Sequence, residues 1–313
     1  MLLVSAPQLS IVIPTWNQVH FTRTCVESLR RNTDVDYELI IVDNGSEASA
    51  AAEAQQLADK FIGNDTTLGV ARGMNQGLAI ASGRAVVFAN NDTEFPASWA
   101  SLLLETLRSG ARPGIVLPAV TAAGNQASVR DAPADRRTVF PPFSAIPSGV
   151  IYMMQRDTII ELGGWNVSYG VASAEDLDLL FTVWANGLSV VLDERVLVRH
   201  ESAASALKLP DRDALYARNR LAFAARWSNA DPQQTPRLST CDQKSFAANL
   251  ERARIAATWM EKWFQAMDAT AREARARRVI ETKAATRRPV SPASRLSKRL
   301  VRKMKRVRAR ITK

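Results

Sequence analysis

Arg84-Ala85-Val86-Val87-Phe88-Ala89-Asn90-Asn91-Asp92-Thr93 is the stretch whose reading decides the fold. Its first half is an apolar run of the length expected for a strand buried on both faces, and it stops at two amides and a carboxylate. In an open α/β sheet the ligand crevice lies beyond the carboxyl ends of the strands, so Asp92 falls where a carboxylate can meet a ligand. Taken alone, Asn-Asn-Asp-Thr is equally good turn chemistry, because Asx side chains bond backbone two residues on. The rest of the chain decides between the two.

Outward from this stretch, the same unit of strand followed by polar turn recurs. Ser10-Ile11-Val12-Ile13 ends at Pro14-Thr15-Trp16-Asn17, and Tyr37 to Val42 ends at Asp43-Asn44-Gly45-Ser46. Between them Phe21, Cys25, Val26 and Leu29 fall at helical spacing, with Arg30-Arg31 placed to meet the negative end of the helix dipole. A helix is expected over the Ala-rich Glu47 to Ala58, a short strand at Lys60-Phe61-Ile62 and a glycine-punctuated helix from Gly69 to Ala81. The alternation predicts βαβ units, hence an α/β fold with a mostly parallel sheet flanked by helices. No G-x-G-x-x-G follows the first strand and no G-x-x-x-x-G-K-[ST] occurs anywhere, which disfavours dinucleotide and P-loop phosphotransferase chemistry.

Downstream, the spacing predicts a helix through Trp99, Leu102, Leu103 and Leu107 and a strand at Gly114 to Leu117. Periodicity is then lost from Thr121 to Pro147, a long loop of the kind that is usually functional or mobile. Gly149 to Met154 restores strand character, and Arg156 to Leu162 reads as a short helix ended by Gly163-Gly164. Ser173-Ala174-Glu175-Asp176-Leu177-Asp178 opens a helix that stops at Gly187. Acids in a first turn favour the macrodipole, but three carboxylates in four residues exceed what capping requires. Two strands, Ser189 to Leu192 and Val196 to Val198, then deliver Arg199-His200.

A chain of 313 residues with 46% hydrophobic content can bury a large core. No run reaches the ~18 apolar residues of a membrane span. Met1-Leu2-Leu3-Val4 lacks the basic and long apolar regions of a signal peptide, so a cytoplasmic location is expected. Cys25 and Cys241 are far apart, which gives neither a disulfide framework nor a zinc site, and Cys25 is expected in the core. The formal charge of +10 belongs to one end: residues 283–313 hold 13 of the 41 Lys and Arg and no acid, leaving −3 for the rest.

Together these pieces resemble the family 2 glycosyltransferases, inverting enzymes of the GT-A fold, and in particular their bacterial rhamnosyltransferase-like members. The resemblance runs from Leu9 to Trp227. Ile11 to Asn17 looks like the nucleotide-binding first strand and Val42 to Ser46 like the second loop. Gly69 with Arg72 to Gly77 is similar to the glycine and asparagine helix entry, and Asn90-Asn91-Asp92 takes the place of the DXD motif. Gly163-Gly164-Trp165-Asn166 followed by Glu175-Asp176 resembles the acceptor-side segment, His200 with Ser205 the late histidine motif, and Tyr216 to Leu221 the trailing segment. In two places the pattern differs: Asn90 stands for the first acid of DXD, and Asn166 where an acid is frequent.

The resemblance implies a donor site in which Asp43 binds the base, Pro14, Thr15 and Asn17 line its pocket, and Asn44, Gly69, Asn75 and Asn91 complete the nucleotide-sugar contacts. It implies that Asp92 holds a divalent ion, Mn²⁺ or Mg²⁺, against the donor diphosphate, with His200 as second ligand. A histidine ending a strand is also often purely structural. Asp176 would be the general base, with Glu175 anchoring the helix or meeting the acceptor. The donor would be a UDP- or dTDP-sugar, and the acceptor a hydroxyl of a glycan or lipid-linked glycan in cell-envelope biosynthesis. A degenerate GT-A-like adaptor that binds glycan, or nucleic acid through its basic end, is the alternative.

The domains expected are a GT-A catalytic domain over 1–227, a helical extension over 228–282 and a basic amphipathic tail over 283–313. Phe246, Leu250, Met260, Trp263, Phe264 and Met267 form an apolar stripe from Ser245 to Thr282, which either packs back on the catalytic domain or mediates a homodimer. The Trp and Met positions from Trp259 to Met267 are expected as core. Leu296, Leu300, Met304, Val307 and Ile311 repeat at helical spacing among Lys and Arg. That pattern suits peripheral binding to an anionic inner membrane face. Nucleic acid is disfavoured, because an apolar stripe has no use on a phosphate backbone.

Overall fold

The computed structural model describes residues 6–110, 112–122, 135–143, 147, 149–201 and 211–286. Ser205 and the stripe from Leu296 to Ile311 lie outside the described residues.

The first half of the sheet is built from β1 (Leu9–Thr15), β2 (Tyr37–Asp43), β3 (Lys60–Gly63) and β4 (Ala85–Ala89), with α1 (Val19–Asn32), α2 (Ala48–Leu57) and α3 (Val70–Ile80) as crossovers. These four strands are parallel, in the order β3-β2-β1-β4. After β4 come β5 (Thr93–Glu94), α4 (Trp99–Leu107), β6 (Pro113–Ala122) and β7 (Arg137–Val139). β8 (Ile151–Gln155), α5 (Arg156–Glu161), α6 (Glu175–Ala185), β9 (Ser189–His200), α7 (Arg212–Ser228) and α8 (Gln243–Thr286) complete the chain. The sheet continues from β4 through β8, β6 and β9 to β5, with β7 also on β9. β8, β5 and β7 run against the rest, so the sheet is mostly parallel, as expected.

Alternation along β1 explains the layering. Ile11 and Ile13 face a core shared with Cys25 and Leu29 of α1 and Trp99 and Leu103 of α4. Val12 faces the opposite core, with Met74 of α3, Leu180 and Trp184 of α6, and Phe223 and Trp227 of α7. Helices thus cover both faces, which is why the strands read as near-continuous apolar runs. Phe246, Leu250, Met260 and Phe264 of α8 join this second core. One compact unit accordingly runs from Met1 to Phe264, and the described part of the second unit, from Gln265, is helical to Thr286. Cys25 and Cys241 are buried free thiols. No helix among the described residues is long and apolar enough to cross a membrane.

Three expectations are corrected. The strands expected at Ser189 to Leu192 and Val196 to Val198 are one strand, β9, with a bulge: Pro118 faces Asp193, whereas Ala119 faces Leu197. Within the bulge Arg195 folds back on Asp193 (2.8 Å), whose carboxylate also accepts from Thr106 (2.6 Å). Within the stretch expected as loop, Arg136 reaches Glu194 of that bulge at 2.5 Å and sets up β7. Lastly, Met260 and Phe264 are core, but Trp259, Trp263 and Met267 are 65%, 42% and 38% exposed.

Candidate functional site

The carboxyl ends of β1, β4 and β9 open on one cleft of about 390 Å³, within the range of small-ligand sites. Its walls include Pro14, Thr15, Trp16, Asn44, Gly69, Asn91, Asp92, Glu175, Asp176 and His200. Asp92 from the first half and Glu175-Asp176 from the middle therefore share one cavity.

Near β1, Asn91 Nδ2 donates to Thr22 Oγ1 at 3.0 Å, and the Thr22 and Thr15 hydroxyls pair at 3.0 Å. Asn91 thereby ties the end of β4 to β1. Asn44 bridges the next two loops: its Nδ2 donates to the Gly69 carbonyl (3.0 Å) and its Oδ1 accepts from Leu68 N–H (3.2 Å). Gly69 sits at φ 91°, and a Cβ there would collide with the Gly170 carbonyl, so only glycine lets α3 start against that loop.

Three residues expected in the donor site do not line the cleft. Asn75 Oδ1 accepts from Trp165 N–H (2.8 Å) and its Nδ2 donates to the Trp165 carbonyl (2.8 Å), so its amide holds Trp165 in place. Asp43 is buried, and its carboxylate accepts from Ser46 N–H at 3.0 Å and from the Ser46 hydroxyl. Asn17, at φ 53°, binds Glu47 N–H through Oδ1 at 2.9 Å. All three side chains bond nearby backbone or hydroxyl and so shape the loops around the cleft.

The pairing of Asp92 with His200 depends on β5. Thr93 lies opposite His200 in the β5–β9 ladder, and Glu201 N–H donates to the Asp92 carbonyl at 3.0 Å. This places His200 Nε2 3.1 Å from Asp92 Oδ1, at 13% and 8% side-chain exposure, yet off line for a hydrogen bond, so the nitrogen is buried and unpartnered. An imidazole nitrogen and a carboxylate oxygen meeting in this way suit a divalent cation whose remaining positions a phosphate-bearing ligand and water would fill. Among the described residues no third His, Cys, Asp or Glu joins this pair in a group arranged for a metal.

On the facing side α6 begins at Glu175 after two consecutive residues with positive φ, Ser173 (78°) and Ala174 (76°). Ser173 is therefore no helix cap; Ala174 takes the N-cap position without a side-chain bond. Left-handed geometry in non-glycine residues is costly and persists only where surroundings impose it. Asn219 of α7 supplies that constraint, donating to the carbonyls of Tyr169 and Ala172 at 2.7 Å each. Asp178, the third acid, is a buried structural hub that accepts from Tyr169 (2.8 Å), Trp227 (2.9 Å) and Arg226 (2.8 Å). Asn166 donates to Asp178 (3.2 Å) and caps Ser168 N–H (3.0 Å), which accounts for an amide at that position.

Glu175 and Asp176 remain for chemistry. Burial, then the neighbouring Asp176 charge, pushes the Glu175 carboxyl up to about 8. Burial also raises Asp176, against the Leu177 N–H bond (2.9 Å to Oδ1) that favours its charged form. Asp176 Oδ2 lies over Gly149, where any Cβ would collide with it. Tyr152 Oη, Trp165 Nε1 and Glu175 Oε2 are buried without partners, as His200 Nε2 is, and all four residues line this cleft. Tyr152 was not expected as a cleft residue, and Trp165 only as part of the acceptor-side segment; a polar tip on an otherwise apolar strand was the available signal for Tyr152. A polyhydroxylated or charged ligand is the kind of occupant whose polar groups match such an array.

Residues 10–144 match the family model described as glycosyl transferase family 2. A PGL/p-HBAD biosynthesis glycosyltransferase of Mycobacterium tuberculosis is 36% identical over 94 residues, which are 28% of this chain and 37% of that protein. An uncharacterized glycosyltransferase of Escherichia coli, YibD, is 30% identical over 108 residues, 33% of this chain and 31% of its own. The aligned stretch thus spans only about a third of each relative. Among solved structures, S. aureus TarS 1-349 in complex with UDP-GlcNAc superposes with TM-score 0.58 at 12% identity, covering 79% of this chain and 71% of that one. The mannosyltransferase PcManGT from Pyrobaculum calidifontis, in complex with GDP-Man and Mn²⁺, gives TM-score 0.53 at 18% identity over 90% and 81%. The fold is that of the GT-A glycosyltransferases.

Proposed function

We propose that this chain, whose residues 10–144 match the family 2 glycosyltransferase model and whose fold is GT-A, is a family 2 enzyme that transfers a sugar from a nucleotide-diphosphate donor to a hydroxyl with inversion, in a metal-dependent reaction. One observation carries the reading: Asp92 with His200 and Glu175 with Asp176 line a single cleft that holds four unpartnered buried polar atoms. The Mn²⁺ and nucleotide sugars bound by the structural neighbours support it. In this reading residues 1–227 form the catalytic domain, 228–282 its helical extension and 283–313 a basic tail.

Transfer breaks the bond from the anomeric carbon to the diphosphate oxygen and forms one from that carbon to the acceptor oxygen. The acceptor's proton passes to Asp176, which burial makes a stronger base than an ordinary carboxylate. Asp92 and His200 would hold a divalent ion, Mn²⁺ rather than Mg²⁺ given the imidazole, and when bound it would offset the charge gathering on the departing diphosphate. Tyr152 and Trp165 donate to sugar oxygens in the floor of the cleft, and Glu175, protonated near neutral pH, meets a hydroxyl. Asn44 and Gly69 line the nucleotide side, and Asp43, Asn17 and Asn75 fix the loops that form it. The test is a thermal-shift panel of UDP, dTDP and GDP with and without Mn²⁺, followed by nucleotide release from the matching sugars. Stabilisation by one nucleotide only when Mn²⁺ is present is expected; no response from any of them defeats the proposal.

The raised Glu175 carboxyl has a pH signature. Its folded value of about 8 exceeds the ordinary 4.5, so the native state binds the extra proton between them and stability falls as pH rises across that window. Asp176 is shifted in the same direction. Glu175→Gln keeps the shape without the ionisation, and its melting temperature should gain on the wild type steadily from pH 5 to pH 8. Parallel melting curves would show that Glu175 stays ionised.

We assign the donor to the UDP- or dTDP-sugars, hexosyl or deoxyhexosyl as in the rhamnosyltransferase-like branch, and the acceptor to a lipid-linked glycan of the bacterial cell envelope. The basic tail suits peripheral placement on the cytoplasmic membrane face. Deleting residues 296–313 is expected to weaken sedimentation with phosphatidylglycerol vesicles, each basic residue there being worth about 1 kcal/mol; unchanged sedimentation would remove the tail from this role.

A further inference from the structure

One exposed face of α8 is not needed by the fold. Phe246, Leu250, Met260 and Phe264 already anchor the helix in the core. On another side Ile255, Trp259 and Trp263, spaced four residues apart, are 66%, 65% and 42% exposed. The two indoles stack, with centroids 6.5 Å apart and planes 9° from parallel. At 3.6 residues per turn, Lys244, Arg252 and Lys262 fall in the same ~100° sector as these three, and between Lys244 and Trp263 no acid does. All three basic residues are exposed. Glu251, at the border of the sector, is paired with Arg254 at 2.9 Å.

An occupant of this face must bring both apolar depth and negative charge. A second copy presenting the same face would set Lys and Arg against Lys and Arg. Residues 283–313 of the chain itself, with 13 Lys and Arg and no acid, meet the same repulsion. An anionic bilayer supplies both requirements: indoles settle at the boundary between headgroups and acyl chains, and flanking Lys and Arg reach the phosphates. We propose that the face of α8 from Lys244 to Trp263 is a docking surface for an anionic lipid bilayer. It acts separately from the basic tail and does not depend on the transfer reaction.

The test uses the full chain on vesicles of phosphatidylglycerol and phosphatidylcholine brominated in the acyl chain, a short-range quencher of indole fluorescence. Strong quenching is expected on these vesicles and none on phosphatidylcholine alone. Trp259→Phe with Trp263→Phe should abolish the quenching at an unchanged melting temperature, because Trp99, Trp165, Trp184 and Trp227 are buried and Trp16 lines the cleft. Arg252→Glu with Lys262→Glu should weaken binding by ~30-fold or more, at about 1 kcal/mol per basic residue lost. Vesicle-bound protein whose indoles stay unquenched would show docking by the tail alone and overturn the proposal. Indoles that ignore vesicles but are shielded by polyglutamate would overturn it in favour of an acidic protein partner.

Discussion

Asp176→Asn is expected to lower sugar transfer by ~10²- to 10⁴-fold while leaving donor binding intact. The amide is isosteric, and Asn Oδ1 can still accept the Leu177 N–H bond that orients the side chain at 2.9 Å, so the helix start should not move. What disappears is the capacity to take a proton from the acceptor hydroxyl. Because Asp176 is raised by burial, its basicity exceeds that of an exposed carboxylate, and water in the cleft is a poor replacement. Single-turnover transfer and calorimetric titration of the donor with Mn²⁺, run on the same preparation, separate the two quantities. Turnover near the wild-type rate would move the base elsewhere.

The second large effect is expected on the other wall. Asp92→Ala should abolish the Mn²⁺-dependent part of nucleoside diphosphate binding and reduce transfer by at least ~10²-fold, the usual cost of removing a group that stabilises transition-state charge. His200→Ala should weaken Mn²⁺ binding as well, and the double variant should be little worse than Asp92→Ala alone, because the two side chains act on one ion. Electron paramagnetic resonance of free Mn²⁺ in the presence of the nucleotide reads this without turnover. If His200 serves only the β5–β9 ladder, its variant would lose thermal stability and keep its Mn²⁺ affinity.

The sheet was legible because strands buried on both faces leave continuous apolar runs, and each run here ends in polar residues at the same edge. Glu175 and Asp176 were legible because acids in excess of capping needs stand out at a helix start. Their separation from Asp178 was not, since all three look alike until Tyr169, Trp227 and Arg226 are seen to saturate one of them. The link between Asp92 and His200 rests on β5, only Thr93–Glu94, which is too short to leave a periodic signal. Asn75 and Asp43 sit in motifs of the right composition, but sequence does not say whether an amide or carboxylate faces a ligand or the neighbouring backbone. Asn219 contributes through carbonyls some fifty residues away, which local pattern cannot register. On α8, helical spacing identified which residues share a side, but not how wide a sector the core would cover, so Trp259 and Trp263 were assigned inward.

The most direct test is a crystal structure of the chain with Mn²⁺ and the nucleoside diphosphate selected by thermal shift, using the anomalous signal of manganese. The account predicts a peak within coordination distance of both Asp92 Oδ1 and His200 Nε2, with the diphosphate beside it and Asp176 across the cleft. A nucleotide bound outside this cleft, or a manganese peak away from that pair, would contradict it.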